Sequence, residues 1–171
     1  GKEVMEAAEA AGKELAFEAS VGGGIPIIDP LKHSLIANEI TSVMGIVNGT
    51  TNYMLTQMVN EGISYEEALA EAQEKGYAES DPSADVDGLD AAAKIAILAS
   101  IAFNSRVTLD DVFTDGITNI SPVDIEAARD MGYVIKLLAI AHRREDGVDV
   151  RVHPTMIPTN HQLATVNGVF N

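Results

Sequence analysis

Residues 89–103, LDAAAKIAILASIAF, are apolar except for Asp90, Lys94 and Ser100. A helix of this composition is hydrophobic on nearly every side, and such a helix is normally buried in the core of a domain. Asp90 and Lys94 are four residues apart, so the helix places them on one face, one turn from each other. Because charged side chains are seldom buried without a partner or a function, this pair is the first candidate for a site.

Two interpretations of the pair remain open on the residues alone. In the first, Asp90 favours the positive end of the helix dipole and forms an exposed ion pair with Lys94, worth about 0.3–0.5 kcal/mol. In the second, Lys94 is partly desolvated because Ala91, Ile97 and Leu98 occupy neighbouring turns. A desolvated lysine held by a carboxylate is a usable proton donor or acceptor.

An acidic loop, residues 79–87 (ESDPSADVD), precedes this helix and contains no basic residue. One interpretation of its aspartates is a solvated surface loop. An EF-hand frame that begins at Ser83 puts Lys94 at the twelfth position, where calcium binding requires a glutamate. An ammonium group there would repel calcium, so the sequence argues against a calcium site.

The glycine-rich stretch at residues 21–26 (VGGGIP) does not fit the dinucleotide-binding pattern G-x-G-x-x-G, because Ile27 occupies the last required position. The glycines still allow close backbone approach. Carbonyl groups turned inward after Glu18 could ligate a hard cation, although spacing alone is a weak indication.

Composition excludes several classes of protein. The chain has 171 residues with a formal net charge of −15 and only 11 Lys and Arg, which argues against binding to nucleic acid. It has no cysteine, so disulfides and Cys-ligated zinc are excluded. No apolar stretch reaches membrane length. We therefore expect a cytoplasmic protein that does not interact with membranes.

The pattern of caps, turns and apolar periodicity predicts an α+β fold, a mixed sheet covered by helices. Helices are predicted at residues 2–12, 30–37, 51–61, 64–75, 89–103 and 121–131, and strands at 15–19, 39–47 and 148–157, with strand pieces near 107 and at 116–120. Residues 133–142 fit either a helix or a strand.

Three segments together resemble the homoserine dehydrogenase family. They are residues 17–28 (FEASVGGGIPII), 45–54 (GIVNGTTNYM) and 76–94 (GYAESDPSADVDGLDAAAK). Three such segments in this order are a highly specific match, and the similarity spans nearly the whole chain. The resemblance implies an NAD(P)-dependent oxidoreductase that interconverts L-aspartate 4-semialdehyde and L-homoserine in the biosynthesis of threonine, methionine and isoleucine.

The resemblance also implies roles for individual residues. Lys94 corresponds to the family's proton donor or acceptor at the substrate oxygen, and Asp90 to the acid that works beside it. Glu79 corresponds to the residue that binds the amino-acid substrate. Thr50 corresponds to a threonine in a turn that faces substrate and nicotinamide.

A sodium ion is implied in the same way, at Glu18 and at the positions of Val21, Gly23 and Ile25, largely through main-chain oxygens. The cofactor, NADP or NAD, would be bound mainly by a nucleotide-binding domain that precedes this sequence. Residues 1–19 would be the last helix and strand of that domain, and residues 20–171 the catalytic, substrate-binding and dimerisation domain. We therefore expect a homodimer in which this part alone is inactive.

Two alternatives remain from the sequence. The chain could be the substrate domain of another amino-acid dehydrogenase, or a non-catalytic interaction domain with the same fold.

Overall fold

The computed structural model describes residues 2–169. The chain divides into two compact units, one up to Asn38 and the other from Glu39 onward. The proposed division after residue 19, into a nucleotide-binding and a substrate-binding part, stays a prediction.

The first unit begins with helix α1 (Lys2–Ala10), as predicted. The turn after the helix contains Gly12, whose φ of +60° is in the left-handed region that glycine adopts without strain. Two hydrogen bonds close this end: the N–H of Gly12 donates to the carbonyl of Glu9 and that of Lys13 to the carbonyl of Ala8. They satisfy carbonyls that the helix itself leaves without a donor.

Two predictions for this unit are wrong. Within the described part of the unit, residues 15–19 do not form a strand. An extended segment needs a neighbouring strand to complete its hydrogen bonds, and local sequence does not reveal whether one exists. The helix predicted at residues 30–37 is a single π-type turn, Pro30–Ser34. Asp29 does not cap it; its carboxylate instead lies 2.7 Å from Nδ1 of His33.

The second unit is built on a four-stranded sheet in the order β1-β3-β4-β2. The strands are β1 (Ser42–Gly45), β2 (Phe113–Thr114), β3 (Tyr133–Arg144) and β4 (Gly147–Pro158). Strands β3 and β4 form a long antiparallel hairpin, from the pair Tyr133 and Pro158 to the pair Arg144 and Gly147. β1 joins β3 in antiparallel fashion, and the short β2 runs parallel to β4.

The helices of this unit are α2 (Gly49–Glu61), α3 (Tyr65–Glu74), α4 (Ser83–Val86), α5 (Leu89–Ala102) and α6 (Pro122–Asp130). Helix α3, predicted at residues 64–75, starts with a capping box formed by Ser64 and Glu67. The α+β class is therefore confirmed. The strand pieces predicted near residue 107 and at 116–120 are wrong, because the segment between α5 and α6 pairs with the sheet only through β2.

The core lies on both sides of the central hairpin. Helix α5 packs against β3 and β4 through its buried apolar side chains, among them Ile95 and Leu98. A second cluster is formed by Leu138, Ile140 and Ile157 and is covered by Ile46, Leu163 and Ala164. Since residues 135–141 of β3 are all buried, this strand lacks the alternation that distinguishes strand from helix. No helix among residues 2–169 is long and apolar enough to cross a membrane.

Candidate functional site

Asn48 precedes helix α2, and both the oxygen and the nitrogen of its side-chain amide form hydrogen bonds. Its Oδ1 accepts hydrogen bonds from the main-chain N–H of Thr51 at 2.9 Å and from the Thr51 hydroxyl at 2.8 Å, which makes it the N-cap of the helix. Its Nδ2 donates to Asp85 Oδ1 at 2.7 Å and to Asp90 Oδ2 at 2.9 Å. The cap thereby fixes which end of the amide faces the two carboxylates.

Asp90 and Lys94 form the pair that the helical spacing predicts. Lys94 Nζ donates to Asp90 Oδ2 at 2.6 Å and to the main-chain carbonyl of Val47 at 2.9 Å. The two side chains are 33% and 26% exposed, so this is neither a free surface pair nor a fully buried one. Because an ammonium group has three N–H bonds and the described residues accept two of them, one donor remains for a ligand.

Asp85 joins this pair through Asn48 and was not assigned a role from the sequence. The amide bridges two segments of the acidic region, the carboxylate of Asp85 from α4 and that of Asp90 from α5. The predicted solvated loop is therefore ordered in part around the site. Asp81 lies apart from it and accepts hydrogen bonds from the main chain and hydroxyl of Ser83.

Thr50 and Glu79 are linked through hydrogen bonds to main-chain carbonyls of the segment 77–79. The buried Thr50 hydroxyl donates to the carbonyl of Tyr77 at 2.8 Å, two residues before Glu79. The carbonyl of Glu79 accepts from Gln73 Nε2 at 2.9 Å, whereas its side chain is exposed. Across residues 2–169, no hydrogen bond joins the Glu79 carboxylate to Asp90 or Lys94. The structure thus holds the backbone of Glu79 and leaves its carboxylate available.

A polar cluster between α2 and α3 supports the Tyr77 segment. The Tyr53 hydroxyl donates to Glu71 Oε1 at 2.8 Å and accepts from Lys75 Nζ at 2.6 Å, and the ring of Tyr53 meets that of Tyr77 edge to face at 5.0 Å. Hydrogen bonds from Lys75, Tyr53 and Gln57 lower the pKa of the Glu71 carboxyl to about 2. The Glu71 carboxyl is therefore ionised at neutral pH.

Lys136 is a second lysine near α2, and it is 2% exposed. Its ammonium donates to Asn52 Oδ1 at 3.1 Å, to the carbonyl of Val166 at 2.6 Å and to Asn167 Oδ1 at 3.2 Å. None of these acceptors is a carboxylate. Burial lowers the pKa of Lys136 to about 8, because desolvation penalises the charged form.

The predicted cation site lies in the first unit, where Glu18 organises the chain that follows the glycines. Its Oε1 accepts from the N–H groups of Ile27 at 2.7 Å and Ile28 at 2.8 Å, and its Oε2 accepts from that of Asp29 at 2.8 Å. These main-chain donors, that of Asp29 first, hold the pKa of the Glu18 carboxyl below its ordinary value. The carboxylate is therefore charged at neutral pH.

The turn itself offers the oxygen atoms that a sodium ion prefers. Gly22 and Gly23 have φ of +78° and +55°, and the N–H of Ile25 donates to the carbonyl of Gly22 at 2.9 Å. In the described part of the chain, no donor bonds the carbonyls of Val21, Gly23 or Ile25. These residues fit a hard monovalent cation in their chemistry. The same part contains no cluster of three acidic or histidine side chains that could hold a metal ion.

Sequence reasoning located Asp90 and Lys94 but missed Asn48, Asp85 and Lys136. Asn48 could have been identified as a cap, since it directly precedes a helix-compatible stretch. Lys136 interrupts an apolar segment in the same way as Lys94, so the criterion applied to one also applies to the other. The link from Asn48 to Asp85 spans 37 residues, and nothing local in the sequence indicates it.

Comparisons with known proteins identify the family to which the chain belongs. The sequence profile of the homoserine dehydrogenase family matches residues 26–171. The chain is 55% identical to the homoserine dehydrogenase of Corynebacterium glutamicum and 56% identical to that of Synechocystis sp., and it covers 39% and 40% of those proteins while 99% and 100% of this chain is aligned. It thus spans about 40% of the length of these relatives.

Solved structures give the same result. The crystal structure of a homoserine dehydrogenase from Thiobacillus denitrificans matches with a TM-score of 0.94 and 46% identity, over 98% of this chain and 39% of the other. That of S. aureus homoserine dehydrogenase matches with a TM-score of 0.85 and 40% identity, over 98% of this chain and 40% of the other. The chain belongs to the homoserine dehydrogenase family.

Proposed function

We propose that this chain forms the substrate-binding and proton-transferring part of a homoserine dehydrogenase, which interconverts L-aspartate 4-semialdehyde and L-homoserine. This reaction would serve the synthesis of threonine, methionine and isoleucine. The observation that carries the proposal is the ammonium of Lys94, held by Asp90 and the Val47 carbonyl with one N–H left over. The cofactor, NADP or NAD, would be bound mainly by the part of the relatives' length that this chain does not span.

Lys94 has the position and chemistry of a proton donor. A nicotinamide cofactor, when bound, would supply the hydride for reduction of the aldehyde carbon. The aldehyde oxygen then gains negative charge and needs a proton, which the remaining N–H of Lys94 delivers. Asp90 keeps the ammonium oriented, and Asn48 in turn orients Asp90. In the reverse direction the neutral amine of Lys94 accepts the hydroxyl proton of homoserine.

Glu79 and Thr50 supply the contacts to the amino-acid end of the substrate in this proposal. The exposed carboxylate of Glu79 suits an ammonium group, since charge-assisted hydrogen bonds are the strong ones. The hydroxyl of Thr50 already donates to Tyr77, so it would act toward a ligand as an acceptor.

Replacement of Lys94 in the full-length protein tests the proposal. Lys94→Met keeps the length of the side chain and removes its proton, so kcat should fall by about a factor of 10² to 10⁴. The KM for homoserine should change much less, because Glu79 remains. Lys13→Met, which removes an exposed lysine, is the matched control. Full turnover by Lys94→Met would refute the assignment of the proton donor, whereas absence of turnover in the native protein would favour a non-catalytic interaction domain.

Another amino-acid dehydrogenase is the second alternative, and substrate profiling distinguishes it. With purified full-length protein, homoserine should be oxidised at a higher kcat/KM than other hydroxy and amino acids. If the protein prefers a different substrate, the proposed role of Lys94 stands but homoserine is not the substrate.

We also propose a sodium ion at Glu18 and the carbonyls of Val21, Gly23 and Ile25. The support is the set of hard oxygen atoms in the glycine turn. Comparing thermal stability in sodium and potassium chloride, for the native protein and for Glu18→Gln, checks this proposal.

A homodimer through the sheet of the second unit is proposed as well. Strand β1 is one edge of that sheet, and its Met44 is 45% exposed beside the buried Ile140 with which it pairs. An exposed edge strand is a ready surface for a second copy. Light scattering of the native protein and of Met44→Glu checks it.

A further inference from the structure

Lys136 carries a charge where a hydrophobic residue would be easier to accommodate. It lies in the central strand β3, and its three donors are used by Asn52, Val166 and Asn167. Burial of an ammonium without a counter-ion is unfavourable, and apolar side chains of similar volume commonly replace buried charges without loss of stability. What an apolar residue cannot do is donate to three oxygens of two other segments from one point.

Asn52 of helix α2 forms further hydrogen bonds to the same segment that Lys136 contacts. Its Oδ1 accepts from Lys136, and its Nδ2 donates to the carbonyls of Val166 at 3.2 Å and Gly168 at 2.9 Å. The Val166 carbonyl thus receives hydrogen bonds from both residues. Strand β3, helix α2 and the segment 166–168 meet at a single buried polar point.

The same segment approaches the first turn of α2. A Cβ added to Gly49 would lie 2.5 Å from the carbonyl oxygen of Val169, a separation that real side chains do not show. Gly49 stands between Asn48, which bridges the two carboxylates, and Thr50, which holds the Tyr77 segment. The position of the segment 166–169 therefore bears directly on the residues that build the candidate site.

We infer that Lys136 is a positioning residue: together with Asn52 it ties the segment 166–168 to helix α2 and so holds the first turn of that helix in the geometry of the site. This connection, called the tie below, consists of the hydrogen bonds from Lys136 and Asn52 to the segment 166–168. Its effect on turnover rests on the proposed function.

Hydrogen exchange in a double-mutant cycle tests the tie without reference to activity. The variants are Lys136→Met, Asn52→Ala and their combination in the full-length protein, with Lys13→Met as the control. Lys136→Met should accelerate amide exchange of residues 166–169 by about tenfold, and the double variant should add no more than about threefold, because both residues act on the same carbonyl. Exchange in α6 should stay unchanged.

Asn167→Ala gives a milder test if the core variants fail to fold. Asn167 is exposed, and among residues 2–169 its Oδ1 accepts only from Lys136, so its loss removes one of the three bonds without opening a cavity. Exchange in the segment should rise about threefold. Unchanged exchange in Lys136→Met and Asn167→Ala, or effects of Lys136→Met and Asn52→Ala that multiply independently, would overturn the inference.

Steady-state kinetics distinguish a residue that positions the site from one that only stabilises the fold. Lys136→Met should lower kcat about tenfold and change the KM for homoserine less than about threefold, since Glu79 lies outside the tie. If exchange becomes faster but kcat is unchanged, Lys136 stabilises the segment 166–168 without positioning the site. That result would contradict the inference. Absence of turnover in the native protein would instead reject the proposed function, and the exchange result would still decide on the tie.

Discussion

Asn48 serves two purposes that different substitutions separate. Serine and aspartate both cap helices about as well as asparagine, whereas alanine loses about 1 kcal/mol. Neither serine nor aspartate can donate to Asp85 and Asp90 as the amide Nδ2 does, and aspartate adds a third negative charge. One side chain thus allows helix stability and site geometry to be varied independently.

We expect Asn48→Ser to keep the free energy of unfolding within about 1 kcal/mol of the native value while kcat falls about tenfold. Asn48→Asp should lower kcat further, because its carboxylate repels the two that the amide normally joins. Chemical denaturation and steady-state kinetics measure both quantities. Native turnover in Asn48→Asp would contradict the bridging role.

At the scale of elements, the turn that carries Asp85 is fixed by a close backbone contact. The N–H of Ile117 donates to the carbonyl of Val86 at 2.8 Å, and a Cβ on Gly116 would lie 2.0 Å from that same oxygen. Gly88 starts α5 with a φ of +84° and also lies close to Val152 of β4. Only residues without side chains allow α4 and α5 to lie this close to their neighbours.

Gly116→Ala should therefore destabilise the protein by about 3 kcal/mol or more, since the clash is with backbone that cannot rotate away. The displaced turn carries Asp85, so kcat should fall as well. Gly45→Ala is the control, because the nearest atom to its new Cβ is at 3.6 Å, an ordinary contact. Thermal unfolding of both variants measures the difference, and equal melting temperatures would contradict this reading of the contact.

Elements with their own local signals were predictable from the sequence. Helix α3 starts with a capping box and α6 with Ser121 followed by Pro122, and both patterns are visible in the sequence. Strand β3 could not be told from a helix, because burial on both faces removes the alternation of polar and apolar residues. Strand β2 pairs only two residues with β4, too few to leave a pattern.

The candidate site was predictable only in part, for the same reason. Asp90 and Lys94 lie one helical turn apart, so their contact follows from local spacing. Asn48 reaches Asp90 from 42 residues away, and Lys136 reaches Asn52 from 84. Such contacts depend on how the elements pack together, which a single sequence does not encode in any short pattern.

At the scale of the whole molecule, Lys136 couples folding to pH. Its pKa is lowered to about 8 from the ordinary value of 10.5, so between these values the unfolded chain binds more protons than the native one. The stability contributed at this position therefore rises with pH through that window, and the full desolvation penalty applies below about pH 8. Tyr53 and Tyr65, whose pKa values burial raises, act in the opposite sense.

The free energy of unfolding, measured from pH 7 to 10.5, should therefore rise in the native protein relative to Lys136→Met by up to about 3 kcal/mol. The tyrosines contribute equally to both proteins and cancel in the difference. Chemical denaturation at each pH gives the values. A difference that does not vary with pH would show that the lysine titrates normally.

Because Asn48 both caps α2 and joins Asp85 to Asp90, opening of the first turn of α2 also disrupts the candidate site. Helix ends ordinarily fray at little consequence to the rest of a protein. Here, once the first turn of α2 opens, the amide rotates freely and Asp85 and Asp90 lose the group that joins them. The geometry of the candidate site therefore lasts only as long as this first helical turn stays closed.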